Sequence, residues 1–128
     1  MQVLLDTHAL VWFLSGDKQL SAAARAVIED ENNPVLVSIA CLWEIAIKAS
    51  LGKLLLTDPF SVLFPAELAN NGIDLLGISV AHTTAVASLP FHHRDPFDRL
   101  LVAQAIVERL AVVSADTMLD RYGVSRTW

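Results

Sequence analysis

The sequence predicts an α/β fold built around a parallel sheet, and three observations carry that expectation. Short runs rich in leucine and β-branched residues recur along the chain, longer segments with a helical pattern lie between them, and the short runs show little alternation of apolar and polar residues. A strand covered on one face alternates, whereas strands of parallel sheets are covered on both and do not. Strands that alternate with helices close such a sheet through right-handed crossovers.

Taken in order, the first strand is "VLL", Val3 to Leu5. A helical segment, "SAAARAVIEDE", follows with Ser21 suited to its N-cap. The second strand is "VLVS", Val35 to Ser38, and it leads into "ACLWEIAIKASLG" from Ala40, where Gly52 suits a C-terminal stop. In "DPFSVLFPAELANNG", from Asp58, Pro59 suits the first helical position and Gly72 the stop. Pro65 removes a backbone donor inside that segment, which predicts a break or kink there. The third strand is "IDLLGI", Ile73 to Ile78. The segment "DPFDRLLVAQAIVERL" opens on Asp95 as N-cap with Pro96 behind it, and is apolar on nearly every face as far as Glu108. The fourth strand is "AVVSA", Ala111 to Ala115, followed by the short "TMLDRYG". No repeat, low-complexity tract or linker interrupts the 128 residues, so a single domain over 1–128 is expected.

Composition narrows the function. The formal net charge of −5 lacks the overall basic excess of many nucleic-acid-binding domains, so a polyanion would have to be held by a local patch or through cations. One cysteine, Cys41, excludes an internal disulfide and any zinc site made of several thiolates, and it suits a reducing compartment. The start "MQVLLDTHAL" has no basic segment ahead of its apolar residues and reaches Asp6 too early for a signal-peptide core. The apolar run from Val35 to Trp43 is far short of the roughly 20 residues that span a bilayer. A soluble cytoplasmic protein, with no membrane partner, is expected. A hydrophobic share of 54% against 18% charged residues hints at apolar surface covered by a partner.

In parallel α/β sheets ligands gather at the carboxyl ends of the strands, which directs attention to acids just beyond them. Asp6 ends the first strand and Asp116 follows the fourth, two residues after Ser114; each is either a cap for the next helix or part of a site. Glu44 sits in "CLWEIAIK" and either pairs with Lys48 one turn on or faces a site. Asp98 either complements the helix dipole or is carried inward by an apolar helix. If Asp6, Glu44, Asp98 and Asp116 converge, like charges raise one another's pKa and a divalent cation relieves the strain; oxygen donors suit Mg²⁺ or Mn²⁺ rather than zinc. Such an ion suits hydrolysis of phosphate esters.

Other residues carry weaker signals. His92, His93, Arg94 and Arg99 form a basic patch beside Asp98 that either holds RNA phosphates or is a solvated loop. His8 and His82 are isolated. Trp12, Trp43 and Trp128 could stack on bases, although Trp12 and Trp43 are expected in the core or at a partner interface.

Together, "LLDTHAL", "WEIAIK", "DPFDRLLVAQA" and "VVSAD" resemble the PIN-domain ribonucleases, and among them the VapC-type toxins of bacterial toxin–antitoxin pairs. The resemblance covers nearly the whole chain in the family's motif order. It implies a three-layer α/β/α fold with a parallel sheet of about five strands, and a Mg²⁺- or Mn²⁺-dependent endoribonuclease. It assigns the metal-binding and catalytic roles to Asp6, Glu44, Asp98 and Asp116, with Thr7, Asp95 and Ser114 as supporting groups. RNA as substrate, a VapB-like antitoxin and a homodimer are the implied partners. The chain departs from many relatives in having His8 where they carry asparagine or serine and Ser114 where threonine is frequent, and Asp120 has no assigned role.

Competing functions fit less well. An aspartyl phosphatase of the D-x-D kind needs an acid where "DTH" has His8, and a phospho-accepting receiver needs a late lysine where Lys53 is the last. A metal-dependent phosphatase on a similar sheet, or a PIN domain that only binds RNA or a partner, is the alternative. No P-loop or dinucleotide-binding glycine motif occurs.

Overall fold

The computed structural model describes Met1–Trp128. Five parallel strands form one sheet: β1 (Val3–Leu5), β2 (Val35–Ser38), β3 (Ile73–Leu76), β4 (Ala111–Val113) and β5 (Arg126–Thr127), in the order β3-β2-β1-β4-β5. Strand β1 lies at the centre, with Val3 opposite Val35 on one side and Ala111 on the other. Chain order reverses at β1, whose neighbours come from opposite halves of the sequence. This is the switch point at which parallel sheets open a crevice beyond their carboxyl ends.

Helices cover both faces. The helices are α1 (Thr7–Ser15), α2 (Ala22–Glu29), α3 (Ile39–Ser50), α4 (Phe60–Leu63), α5 (Ala66–Asn70), α6 (Val80–Ala87) and α7 (Pro96–Glu108), and a 3₁₀ turn spans Thr117–Tyr122. Successive residues of β1 point to opposite sides. Val3 and Leu5 join Leu10, Ala24, Val37 and Ile45 in one core, while Leu4 joins Leu101, Val102, Ala105 and Val112 in a second. Both faces of the central strands are therefore apolar, which is why their sequences do not alternate. The expectation of two-sided cover fails only at the edge: in β3 Asp74 is exposed and Leu75 is 44% exposed, and the strand stops at Leu76 rather than reaching Ile78.

Caps follow the sequence. Ser21 Oγ accepts the Ala24 amide, and Asp95 accepts the amides of Phe97 and Asp98 with Pro96 in the first turn. Pro65 separates α4 from α5, and Pro59 lies one residue ahead of α4 rather than inside it. Two helices, α1 and α6, occupy stretches where the pattern carried no helix. Helix α1 is a short, mostly apolar run with Val11, Trp12 and Phe13, residues that suit strands equally well, and α6 is rich in Thr, Val and Ala. In α6 His82 stands where a capping box normally has Glu or Gln: its backbone amide donates to Ser79 Oγ, and its Nδ1 accepts the Ser79 amide. With Nδ1 so used, Nε2 carries the proton and donates to Glu108 of α7 at 2.8 Å. The isolated His82 is thus a satisfied buried residue that ties α6 to α7.

Candidate active site

The acids expected from the sequence lie on four different elements whose ends meet beyond the carboxyl edge of the sheet. Asp6 directly follows β1 and caps α1, accepting the Ala9 amide at 2.7 Å. Asp116 lies beyond β4 and caps the 3₁₀ turn, accepting the Met118 amide at 2.9 Å. Capping and site roles are compatible, because a cap uses one oxygen and leaves the rest of the carboxylate facing outward. Ser114, fully buried between the two aspartates, accepts the Asp116 amide at 3.1 Å and hydrogen-bonds to the Asp6 carboxylate.

Asp6, Glu44 and Asp98 line one narrow cleft with Thr7, Cys41 and Phe97, enclosing about 40 Å³. That is space for an ion with about two or three waters. Glu44 is held from both ends: Thr7 Oγ1 donates to its Oε1 at 2.5 Å, and Lys48 pairs with its Oε2 at 2.9 Å. The salt bridge with Lys48 and the place at the cleft therefore hold together. Asp98 connects this cleft to the rest of the cluster, since ligand atoms of Asp98, Asp116 and His93 lie within 4.8 Å of one another.

The electrostatics follow from burial. Desolvation raises the Asp6 carboxyl above its ordinary value, and the hydrogen bonds from Ser114 and Ala9 act against that rise. Desolvation also pushes Asp98 up to about 6; Asp95, Asp116 and Glu44 add repulsion, and His93 opposes it. No hydrogen bond contributes to that balance, so Asp98 is a half-buried carboxylate without a donor. The Cys41 thiol is pushed up to about 11, again by burial, so it is no nucleophile at neutral pH.

Several expectations for the basic patch need correction. Arg99 does not face the cleft. Its guanidinium is buried, donating to the carbonyls of Val86, Leu89 and Pro90 at 3.0–3.1 Å, and it closes the C-terminal end of α6 against α7. Arg94 is exposed, in a surface hollow with Phe91 and Pro96 beside the cleft rather than in it. His93 is not a free phosphate contact either: its Nε2 donates to Asp116 Oδ2 at 2.6 Å, and its Nδ1 accepts from Tyr122 Oη at 2.9 Å. His92 packs edge-on to the same Tyr122 ring at 4.8 Å. Tyr122 carried no signal in the sequence, since nothing there told which ring would meet His93. Asp95 is a helix cap at the rim, and Asp120 is a surface acid paired with Arg126 at 2.8 Å. His8 stacks on Trp12, which in turn meets Trp128, so both of these tryptophans pack on the first core. Trp43 does not: it is 62% exposed, which excludes the core half of its expectation and is consistent with the partner-interface half.

Comparison with known proteins decides the family, because the model of the PIN domain matches residues 3–124. The chain belongs to the PIN domain family. Ribonuclease VapC22 of Mycobacterium tuberculosis is 30% identical over 118 residues, which cover 91% of this chain and 88% of that protein. Ribonuclease VapC16 of the same organism is 39% identical over 59 residues, covering 46% of this chain and 42% of that protein. Among solved structures, VapBC2 from Rickettsia felis bound to a fragment of its promoter DNA superposes with a TM-score of 0.73 at 16% identity, over 98% of this chain and 97% of that one. VapBC-1 from nontypeable Haemophilus influenzae gives 0.66 at 14% identity, over 98% and 96% of the two chains. At such identities the structures establish the PIN fold alone. The five-stranded parallel sheet with helices on both faces is that fold.

Proposed function

We propose that this PIN-domain chain is a Mg²⁺- or Mn²⁺-dependent endoribonuclease, the toxin of a toxin–antitoxin pair, acting at the cleft between Asp6, Glu44, Asp98 and Asp116. The observation that carries the reading is Asp98. A half-buried carboxylate raised to about 6, without a donor and within 4.8 Å of Asp116, lacks a positive charge to complete it. The oxygen-rich donor set fits a hard divalent cation, with Asp6, Asp98 and Asp116 as the groups to hold it. When bound there, such an ion supplies a Lewis acid and an activated water for cleavage of a phosphodiester.

The chain's own residues prepare that site. Ser114 fixes the spacing of Asp6 and Asp116 by hydrogen-bonding to both, and His93 keeps the Asp116 carboxylate turned toward Asp98. Glu44, with one oxygen on Thr7 and the other on Lys48, ties α3 to α1 and closes the cleft wall. Asp95 anchors the first turn of α7 and thereby the direction of Asp98.

A VapB-like antitoxin fits an apolar hollow of about 260 Å³ formed by Val11, Leu14, Ile45 and Leu63, with Leu55 on its rim 90% exposed. The exposed Ile106 and Val107 at the end of α7 suit a further contact such as a homodimer. No helix is long and apolar enough to cross a membrane, and a cytoplasmic site of action agrees with RNA as substrate. The test is incubation of the purified protein with a mixed RNA pool in Mg²⁺, Mn²⁺ or EDTA, with mapping of fragment ends. Discrete internal cuts that require the cation support the reading; cuts of equal yield in EDTA, or none in either metal, refute it.

A further inference from the structure

An acidic protein with its only buried arginine withdrawn into structural bonds has few charges with which to hold RNA beside four carboxylates. A neutral attraction is available at the same place. Trp43 on α3 directly precedes Glu44 and Phe97 on α7 directly precedes Asp98; Trp43 does not line the cleft itself but lies against Phe97, just outside its wall. Phe97 itself lines the cleft with Glu44 and Asp98. The rings meet edge to face, with centroids 5.4 Å apart and planes at 74°. In that edge-to-face geometry the contact takes up little of the indole, and Trp43 keeps most of its surface open while Phe97 is half-buried. Trp43 is 62% exposed and, unlike Trp12 and Trp128, is not packed on either core.

We propose that Trp43 and Phe97 form a stacking wall for an unpaired base of the RNA next to the phosphate held at the carboxylates. This rests on the ribonuclease reading and assigns the base contact beside the site to these two rings. A base offers a π-face only when it has left its own helix, and exposed aromatic rings are the common means of taking it. The wall is tolerant of base identity, because every base has such a face. It also needs no positive charge, so its contribution is insensitive to salt while the phosphate contacts are not. Trp43 has the larger face and contributes more.

The test is anisotropy titration of a short fluorescein-labelled single-stranded oligoribonucleotide, and of the duplex made from it, in Mg²⁺ and on an Asp98→Asn background so that RNA is not consumed. Trp43→Leu weakens single-strand binding by about 5- to 100-fold without changing the salt slope, Trp43→Phe restores most of it, and Phe97→Leu has a smaller effect. The duplex binds more weakly than the single strand and is indifferent to Trp43. Light scattering and thermal melting show Trp43→Leu with unaltered mass and fold, as an exposed side chain predicts. Equal single-strand affinity for Trp43→Leu overturns the wall while leaving the ribonuclease reading intact. A change of mass in Trp43→Leu overturns it too, because the rings then belong to a protein interface. Wild-type protein that neither binds nor cuts RNA overturns the ribonuclease reading, and the wall with it.

Discussion

Replacing Asp98 by asparagine stabilises the metal-free protein at neutral pH and makes almost no difference near pH 4. Burial pushes the Asp98 carboxyl up to about 6, against 3.8 for the ordinary group. The folded state therefore binds this proton more tightly than the unfolded chain does. Stability is greatest below the unfolded value, falls as pH rises from 3.8 to about 6, and stays at the lower level above it. At about 1.4 kcal/mol per tenfold the gap corresponds to roughly 3 kcal/mol. Asp98 is only half-buried, and solvent screening reduces this to on the order of 1–2 kcal/mol. Asparagine also forgoes the favourable carboxylate at the start of α7, about 0.3–1 kcal/mol. The net gain at pH 7 is about 1 kcal/mol, a rise in Tm of roughly 3–5 °C for a chain of this size. Thermal unfolding of both proteins in EDTA at pH 4 and pH 7 measures it. Excess Mg²⁺ at pH 7 then stabilises the wild type more than the variant. A variant less stable than wild type in EDTA at pH 7, or a difference that does not change between the two pH values, refutes the crowded-carboxylate argument.

Three further outcomes follow from the same geometry. Arg99→Ala removes the shared donor of three carbonyls, of which that of Leu89 is buried, and lowers unfolding stability by on the order of 1–3 kcal/mol in denaturant melts, while the salt slope of RNA binding stays unchanged. Arg94→Ala keeps stability and lowers that slope by about 0.7 if the exposed guanidinium touches one phosphate; an unchanged slope removes it from the RNA path. Tyr122→Phe releases the imidazole that orients Asp116 and weakens Mn²⁺ binding by about 10-fold in calorimetry, and equal affinity would show that the contact from Tyr122 to His93 is incidental.

The central strands and the caps were legible because local chemistry decides them. Leu4 faces one core and Val3 and Leu5 the other, so "VLL" has no polar position to show, and that absence is itself the signal of a covered strand. Asp95 and Ser21 act on amides two or three residues away, a distance that sequence spacing reports directly. Helices α1 and α6 were not legible, since apolar, β-branched and threonine-rich runs suit a helix or a strand until packing chooses. Strand β5 has two residues and exists only through its pairing with β4.

At the site, the acids at strand ends were readable from topology, because a parallel sheet brings its carboxyl edges together. What could not be read was which way long side chains turn. Arg99 is next to Asp98 in sequence, yet one helical step of about 100° sends it to the carbonyls of α6 rather than the cleft. His93 lies in the same basic run and turns toward Asp116, 23 residues away in sequence. Trp43 follows Leu42 and lies two residues before Ile45, both buried, and nothing in that context marks it as the residue left open.

The most direct measurement of the central claim is the rate at which Asp6→Asn, Asp98→Asn and Asp116→Asn proteins cut one mapped RNA in saturating Mg²⁺, each first shown to be folded by thermal melting. If these carboxylates hold the cation at which the phosphodiester is cleaved, all three variants fall to the background rate that wild type shows in EDTA, with their folds intact. A folded variant that cuts the same bond at the wild-type rate would contradict the assignment of the reaction to this cleft.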